Sequence, residues 1–220
     1  LDPSLAGAWS TLSHLDYQRS DYAAAKIDAT QAYNADAYYS AADGILWRLF
    51  TSSYDLEAFT DAQHWCEEGY RRFPDNKRFS ECWLWMLTTR VTPASPSIVD
   101  SAWRLVEAIQ QRTSPEDRQL SKLTSQMAVA AVLARAGLVD SARHLAVQSR
   151  ASTEVDQAQD LLYFEAFVRT LLGDKDEALK LLQRYLAGHD ERRADLQNDY
   201  QWWFRDLRTD PRWQQLVSGR

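Results

Sequence analysis

Four histidines, His14, His64, His144 and His189, are the side chains of this 220-residue chain best suited to proton transfer or metal ligation. None is followed at catalytic spacing by a nucleophile and an orienting acid. A triad assembled purely in space would leave the same record, so the linear order gives acyl transfer no support. His64 and Cys66 stand two apart, a spacing that suits a metal, but the further ligands that zinc requires do not follow. The 7 glycines are scattered, whereas a phosphate-cradling loop clusters them so that backbone N–H groups reach the ligand. Neither a Gly-x-Ser-x-Gly elbow nor a His-Glu-x-x-His zinc helix occurs. Glu67 and Glu68 are adjacent, point different ways on a helix, and read as a solvated face. The expectation is no catalytic residue, no cofactor and no metal.

Elements to position such groups are readable from punctuation. The 6 prolines, Pro3, Pro74, Pro93, Pro96, Pro115 and Pro211, all fall between runs of helical period. Ser114-Pro115 and Asp210-Pro211 each combine a capping side chain with proline at the first helical position. No stretch alternates with period two for long enough to make a strand, so the chain reads as all-α. No run of about 18 apolar residues exists to span a bilayer. The two cysteines, Cys66 and Cys82, lie in apolar helical context and are expected as buried free thiols.

Net charge is −6. Residues up to Gln110 hold fifteen acidic and nine basic side chains, and the remainder sixteen of each. A basic stripe able to meet phosphates is missing, which argues against nucleic acid as partner.

The strongest signal is internal repetition. Gly137, Asp140, Ala142 and Leu145 return 36 residues later as Gly173, Asp176, Ala178 and Leu181. A period in the thirties made of helix, Gly turn and helix marks a stacked helical array. Ala25, Ala62, Ala102, Ala142 and Ala178 extend the register at intervals of 37, 40, 40 and 36. A small residue there lets two helices approach closely. Five helix pairs result, over 4–37, 38–76, 77–114, 115–154 and 155–190. Val91–Pro96 is read as a loop inserted in the third. Residues 191–220 form a cap that is dense in aromatics from Tyr200 on, and its Trp202, Trp203, Leu207, Trp213 and Leu216 would cover the apolar face that a last repeat leaves open.

These positions resemble the tetratricopeptide repeat family. The first unit carries Trp9, Leu12, Ser13, Tyr22, Ala25 and Ala32, with Ala37 where proline is usual. The second has Leu49, Phe59, Ala62, Gly69 and Pro74, the fourth Ala130, Gly137, Ala142 and Ser149, and the fifth Ala166, Gly173 and Ala178. Pro3 matches the closing proline of a preceding unit, and the third unit departs most. More loosely, Asp43–Leu49 and the run containing Trp65, Cys66, Gly69, Phe73 and Pro74 are similar to the C-terminal repeat region of large bacterial regulators such as multidomain serine/threonine protein kinases.

The resemblance implies a right-handed superhelix whose first helices line a concave, peptide-binding groove. By its register the groove positions are His14, Tyr17, Trp47, Arg48, Thr51, Tyr54, Glu81 and Trp85, then Met127, Ala131, Arg135, Tyr163 and Phe167. Aromatic rings beside charged groups in the early units have the composition of interaction hot spots, so His14, Tyr17, Trp47, Arg48, Tyr54, Glu81 and Trp85 are the site candidates. The alternative is that these rings pack against neighbouring helices. The carboxylate-clamp members of the family use Lys and Asn where this chain has Ser10 and His14, which argues against that specificity. The expected function is a non-catalytic protein- or peptide-binding scaffold. Its rival is a structural unit that pairs with a second copy or with an upstream domain. Cytoplasmic residence is expected, or an extracytoplasmic one if a membrane anchor precedes.

Overall fold

A computed structural model describes residues 5–197 and 202–219. Pro3 and Tyr200, read above as a repeat end and a cap residue, lie outside them. Among the described residues there are twelve α-helices and one 3₁₀ segment and no strand, as the all-α reading expects. No described helix is long and apolar enough to cross a membrane. The chain divides into two compact units, 1–86 and 87–220, with the division inside the stretch read as the third repeat.

Unit 1 holds α1 (Ala6–Gln18), α2 (Tyr22–Ala35), α3 (Ala42–Asp55), α4 (Phe59–Arg72) and α5 (Arg78–Met86). Consecutive helices pack on one another, and α3 also touches α1 and α5, so the three odd-numbered helices lie side by side. Unit 2 holds α6 (Ser97–Gln111), α7 (Arg118–Arg135), α8 (Val139–Gln148), α9 (Asp160–Leu171) and α10 (Lys175–Gly188). They are followed by α11 (Arg192–Gln197), the 3₁₀ segment (Trp202–Leu207) and α12 (Pro211–Ser218).

The five register alanines are all fully buried, each at 0% exposure. Close approach is visible where Ser13 Oγ of α1 donates to the Ala25 carbonyl of α2 at 2.7 Å. Four helix-to-helix turns share one backbone solution. Ser20, Glu57, Gly137 and Gly173 have φ of 60°, 56°, 77° and 73°. Each lies five residues before its alanine. In each, the next residue's N–H closes a six-residue loop onto a carbonyl of the last turn: Asp21 to Asp16, Ala58 to Ser53, Leu138 to Leu133, Asp174 to Arg169. A second, tighter bond joins the left-handed residue itself to the carbonyl three back. This is the Schellman ending of a helix, and it satisfies carbonyls that would otherwise be orphaned. The alanine register places all four turns, and glycine marks two of them, at Gly137 and Gly173.

The cysteines correct an expectation: Cys66 and Cys82 form a disulfide, and neither is a free thiol. The seam between α4 and α5 brings them together. A Cβ on Gly69 would fall 2.0 Å from the Phe79 ring, so glycine permits the close approach of the two helices. One turn from each of these residues lie the cysteines, with Cα atoms 5.9 Å apart, inside the bridging range.

Helix α7 begins at Arg118, not at Pro115 as read, because Ser114 Oγ donates to the Asp117 side chain and makes no backbone cap. Asp210 does cap α12, accepting from the Arg212 N–H at 3.0 Å. The segment 87–96 is non-helical, and Arg135 clamps it by donating to the Leu87 and Thr92 carbonyls at 2.6 and 2.7 Å. At the C-terminal end Phe204, Leu207, Trp213 and Val217 are buried, and Trp203 stacks on Phe167 of α9 at 4.2 Å. The aromatic tail therefore covers the last helix pair, as a cap should.

Two outcomes follow for stability. Ser20 is a non-glycine at positive φ whose buried hydroxyl finds no hydrogen bond among the described residues. Ser20→Gly should stabilise by about 0.5–1 kcal/mol, while Gly137→Ala at the equivalent turn should destabilise by about 1 kcal/mol; opposite shifts in denaturant midpoint would check this. Replacing both Cys66 and Cys82 by Ala should lower stability by about 3 kcal/mol, the loop-closure term for a short loop. A non-reducing melt unchanged by that double substitution would contradict a bond that constrains unit 1.

Candidate functional site

The site candidates of unit 1 divide between surface and core. His14 and Tyr17 are one turn apart on α1, and Trp47 and Arg48 are adjacent on α3. Helix packing of α1 on α3 lays the Arg48 guanidinium over the Tyr17 ring, 4.1 Å from its centroid. At that distance the cation meets the negative face of the ring. Arg48 Nη2 also donates to His14 Nδ1 at 2.7 Å. A guanidinium can only donate, so Nδ1 is the acceptor and the ring proton sits on Nε2. Gln18 lies 3.0 Å from Nε2, and the orientation that serves this tautomer turns its carboxamide oxygen to that proton.

Tyr17 completes the chain by donating its hydroxyl proton to Asp55 Oδ2 at 2.7 Å. Asp55 lies seven residues, two helical turns, after Arg48 on the same face of α3. Burial pushes its carboxyl up to about 7, against the lowering pull of the Tyr17 hydrogen bond and of Arg48. Burial, then the charge of Asp55, also pushes the Tyr17 hydroxyl well above its ordinary value. Arg48 is lowered by burial first; Tyr17 and Asp55 pull it back up, and the like charge of Arg78 lowers it further.

Beside this chain opens a cavity of about 230 Å³, lined by Ser10, Ser13, His14, Trp47, Arg48 and Arg78 among others. Three of the sequence candidates thus meet at one recess, with Tyr17 beneath Arg48. Tyr54 does not join them: it is 5% exposed and packs between Phe50 and Phe59, with ring centroids 5.8 and 6.0 Å away. It belongs to the core because α3 turns it toward α4. Glu81 and Trp85 are half-buried on α5, and Lys77 Nζ lies 3.8 Å from the Glu81 carboxylate. Burial raises the Glu81 carboxyl. Thr51 donates to the Arg48 carbonyl at 3.2 Å.

Arg78 and Asp55 were missed. The spacing of Asp55 from Arg48 was a usable signal. Arg78 gave none, since it stands at the first turn of α5 and outside the alanine register.

In unit 2 the corresponding positions are closed. Met127 and Ala131 are buried, and Arg135 is the clamp on segment 87–96. Tyr163 and Phe167 lie under Trp203, at 5.7 and 4.2 Å, so they serve the cap. Five charged side chains of unit 2, Arg143, Arg150, Glu165, Arg169 and Asp174, are likewise engaged. Glu165, at 0% exposure, accepts from Arg150 at 2.6 and 2.7 Å and from Arg169 at 3.0 Å. Asp174 is held below its ordinary carboxylate range by Arg143, which bonds it through two nitrogens at 2.9 and 2.6 Å, and by Arg169. Glu165 and Arg169 are the buried part of this network, and removing either would strand the other's charge.

A scan against protein-family models returns no match for this chain, and neither does a search of curated proteins.

The Asp55 carboxyl gives a pH prediction. Its ordinary value is about 3.9, and in the fold it titrates near 7. Between these the folded state holds the proton more tightly, so its contribution is full in acid and is lost as pH rises through about 7. Asp55→Asn should flatten this slope. Urea midpoints compared between pH 4.5 and 7.5 should fall more for the wild type than for the variant. Equal slopes would mean Asp55 is not held protonated.

Proposed function

We propose that unit 1 is a recognition surface for a protein or peptide, carried by a helical-repeat scaffold of tetratricopeptide type. The observation that carries this reading is the recess on α1, α3 and α5, where Arg48 is held on Tyr17 and against His14 beside the half-buried Trp47. A pre-positioned guanidinium loses little freedom on binding, and an aromatic wall offers contact area at low entropic cost. Arg and Trp together are the residues most enriched among binding hot spots. The alanine register and the repeated turn support the scaffold type, and the Asp43–Leu49 and Trp65–Pro74 runs support its place in a larger bacterial regulator.

The Cys66–Cys82 disulfide supports an oxidising, extracytoplasmic setting over the reducing cytoplasm expected from the sequence. A second reading, pairing with another copy or an upstream domain, is favoured by Leu5 and Leu15, both exposed along α1. Light scattering separates the two, since a monomer with a Trp47-dependent partner speaks for the first.

The test is capture from native lysate followed by titration. Trp47→Ala should weaken binding of a captured partner by about 2 kcal/mol or more with helical content intact. Equal affinity of wild type and variant would move the site elsewhere. Unfolding of the variant would make Trp47 a core residue.

A further inference from the structure

The recess beside Arg48 has a charge that the unit around it does not share. Residues 1–86 contain thirteen acidic and seven basic side chains. Yet two guanidiniums, from α3 and from the first turn of α5, line one cavity. The carboxylate nearest Arg78 is Asp43, with Oδ2 at 3.7 Å, and that oxygen already accepts from Asn76 at 3.0 Å. Arg48 meets an imidazole nitrogen and a phenol ring, neither of which is an anion. Asp55, two turns away, accepts from Tyr17. His14 gives its Nδ1 lone pair to Arg48 and adds no compensating negative charge.

The lining therefore presents two guanidiniums and no carboxylate of its own, with Asp43 beside Arg78 and Asp55 acting on Arg48 from behind Tyr17. Like charges held together cost free energy, and Arg78 works against the charge on Arg48 while Tyr17 and Asp55 support it. A monoanion in the recess would relieve this, and a carboxylate matches a guanidinium fork in shape as well as in charge. A phosphate dianion would bring more negative charge toward Asp43 and Asp55 than a carboxylate does.

The surroundings narrow the ligand further. Outside the recess the unit is acidic, and charges within about 8 Å are felt even at physiological salt. Asp43 borders Arg78, and Glu81 follows one turn along α5. An acidic run would meet repulsion on both flanks of the residue it inserts. Building on the recognition surface above, we propose that the recess takes one Asp or Glu side chain from a partner segment that is otherwise neutral or basic.

The probes are acetate, inorganic phosphate and three blocked heptapeptides. The first peptide has a central Glu between leucines and a Lys at each end; the second replaces that Glu by Gln; the third replaces the terminal lysines by Glu. The readout is the side-chain Nε resonances of Arg48 and Arg78 in the whole chain. Acetate should shift both resonances saturably, and phosphate should bind no tighter. The Glu peptide should bind about tenfold more tightly than the Gln peptide and than the acidic one. Arg78→Gln, a half-exposed position whose loss spares the core, should abolish the preference for Glu over Gln, and Arg48→Gln should do the same.

Absence of a saturable shift with acetate overturns the site. So does an equal affinity for the Glu and Gln peptides, or a preference that survives in both variants. Tighter binding of phosphate overturns the monoanion, and tighter binding of the acidic peptide overturns the basic flank. If the Glu preference is missing while a captured partner still depends on Trp47, the recognition surface stands and the anion is removed from it. If the Glu preference is present but Trp47→Ala has no effect on the captured partner, the recess is an anion site unconnected with that surface.

Discussion

Everything in both units rests on how the chain reverses between helices. A helix ending in a left-handed residue, with its last carbonyls bonded by the next two N–H groups, can begin another helix at once. Here the residue after Ser20, Glu57, Gly137 and Gly173 is already the N-cap of the following helix. The four N-cap residues have nearly the same backbone angles, φ from −78° to −87° and ψ from 58° to 73°. With so little slack, the two helices of a pair leave the turn almost in contact. Four residues into each second helix, the side chain at the crossing must then be small, which is why the alanine falls there and is sealed from solvent.

The same constraint decides where functional side chains can stand. Close pairing sends the second helix's small face inward and leaves the first helices of unit 1 side by side. Long side chains on α1, α3 and α5 are thereby gathered on one surface. Tyr17, His14 and Arg48 are brought together across 34 residues or so of chain by packing alone. The α4–α5 seam adds a covalent constraint, since Gly69 yields room to Phe79 and the disulfide holds the same edge. Arg78 begins the helix so held.

The two units put comparable raw material to different ends. In unit 2 Tyr163 and Phe167 are covered by Trp203, and Arg135, Arg150 and Arg169 bond loop carbonyls or carboxylates. In unit 1 a guanidinium rests on a ring and on an imidazole beside an open cavity. A charge satisfied by carboxylates has little left for a ligand, whereas one held by a quadrupole and a neutral ring is positioned and still available. That difference is the reason the recess is the candidate site and the richer ion network of unit 2 is scaffold.

The sequence by itself determined the helical class, the five buried alanines, the loop at Val91–Pro96, the cap on α12 and the aromatic cover of the last pair. Each depends on local pattern: proline and capping residues, small residues at a fixed interval, or a cluster of rings near a chain end. The left-handed conformation of two of the four turns was not legible, because Ser20 and Glu57 adopt a glycine-like φ that their own residue types do not favour. Tyr54 was indistinguishable from Tyr17 in register, and the side of α3 that faces α4 decided between core and surface. The cysteines, 16 residues apart, could be free thiols or a bridge until the closeness of α4 and α5 was known. Arg78 joined the site for a reason that spacing does not encode: charge acts through space, and only the packing of helices says which charges share a cavity.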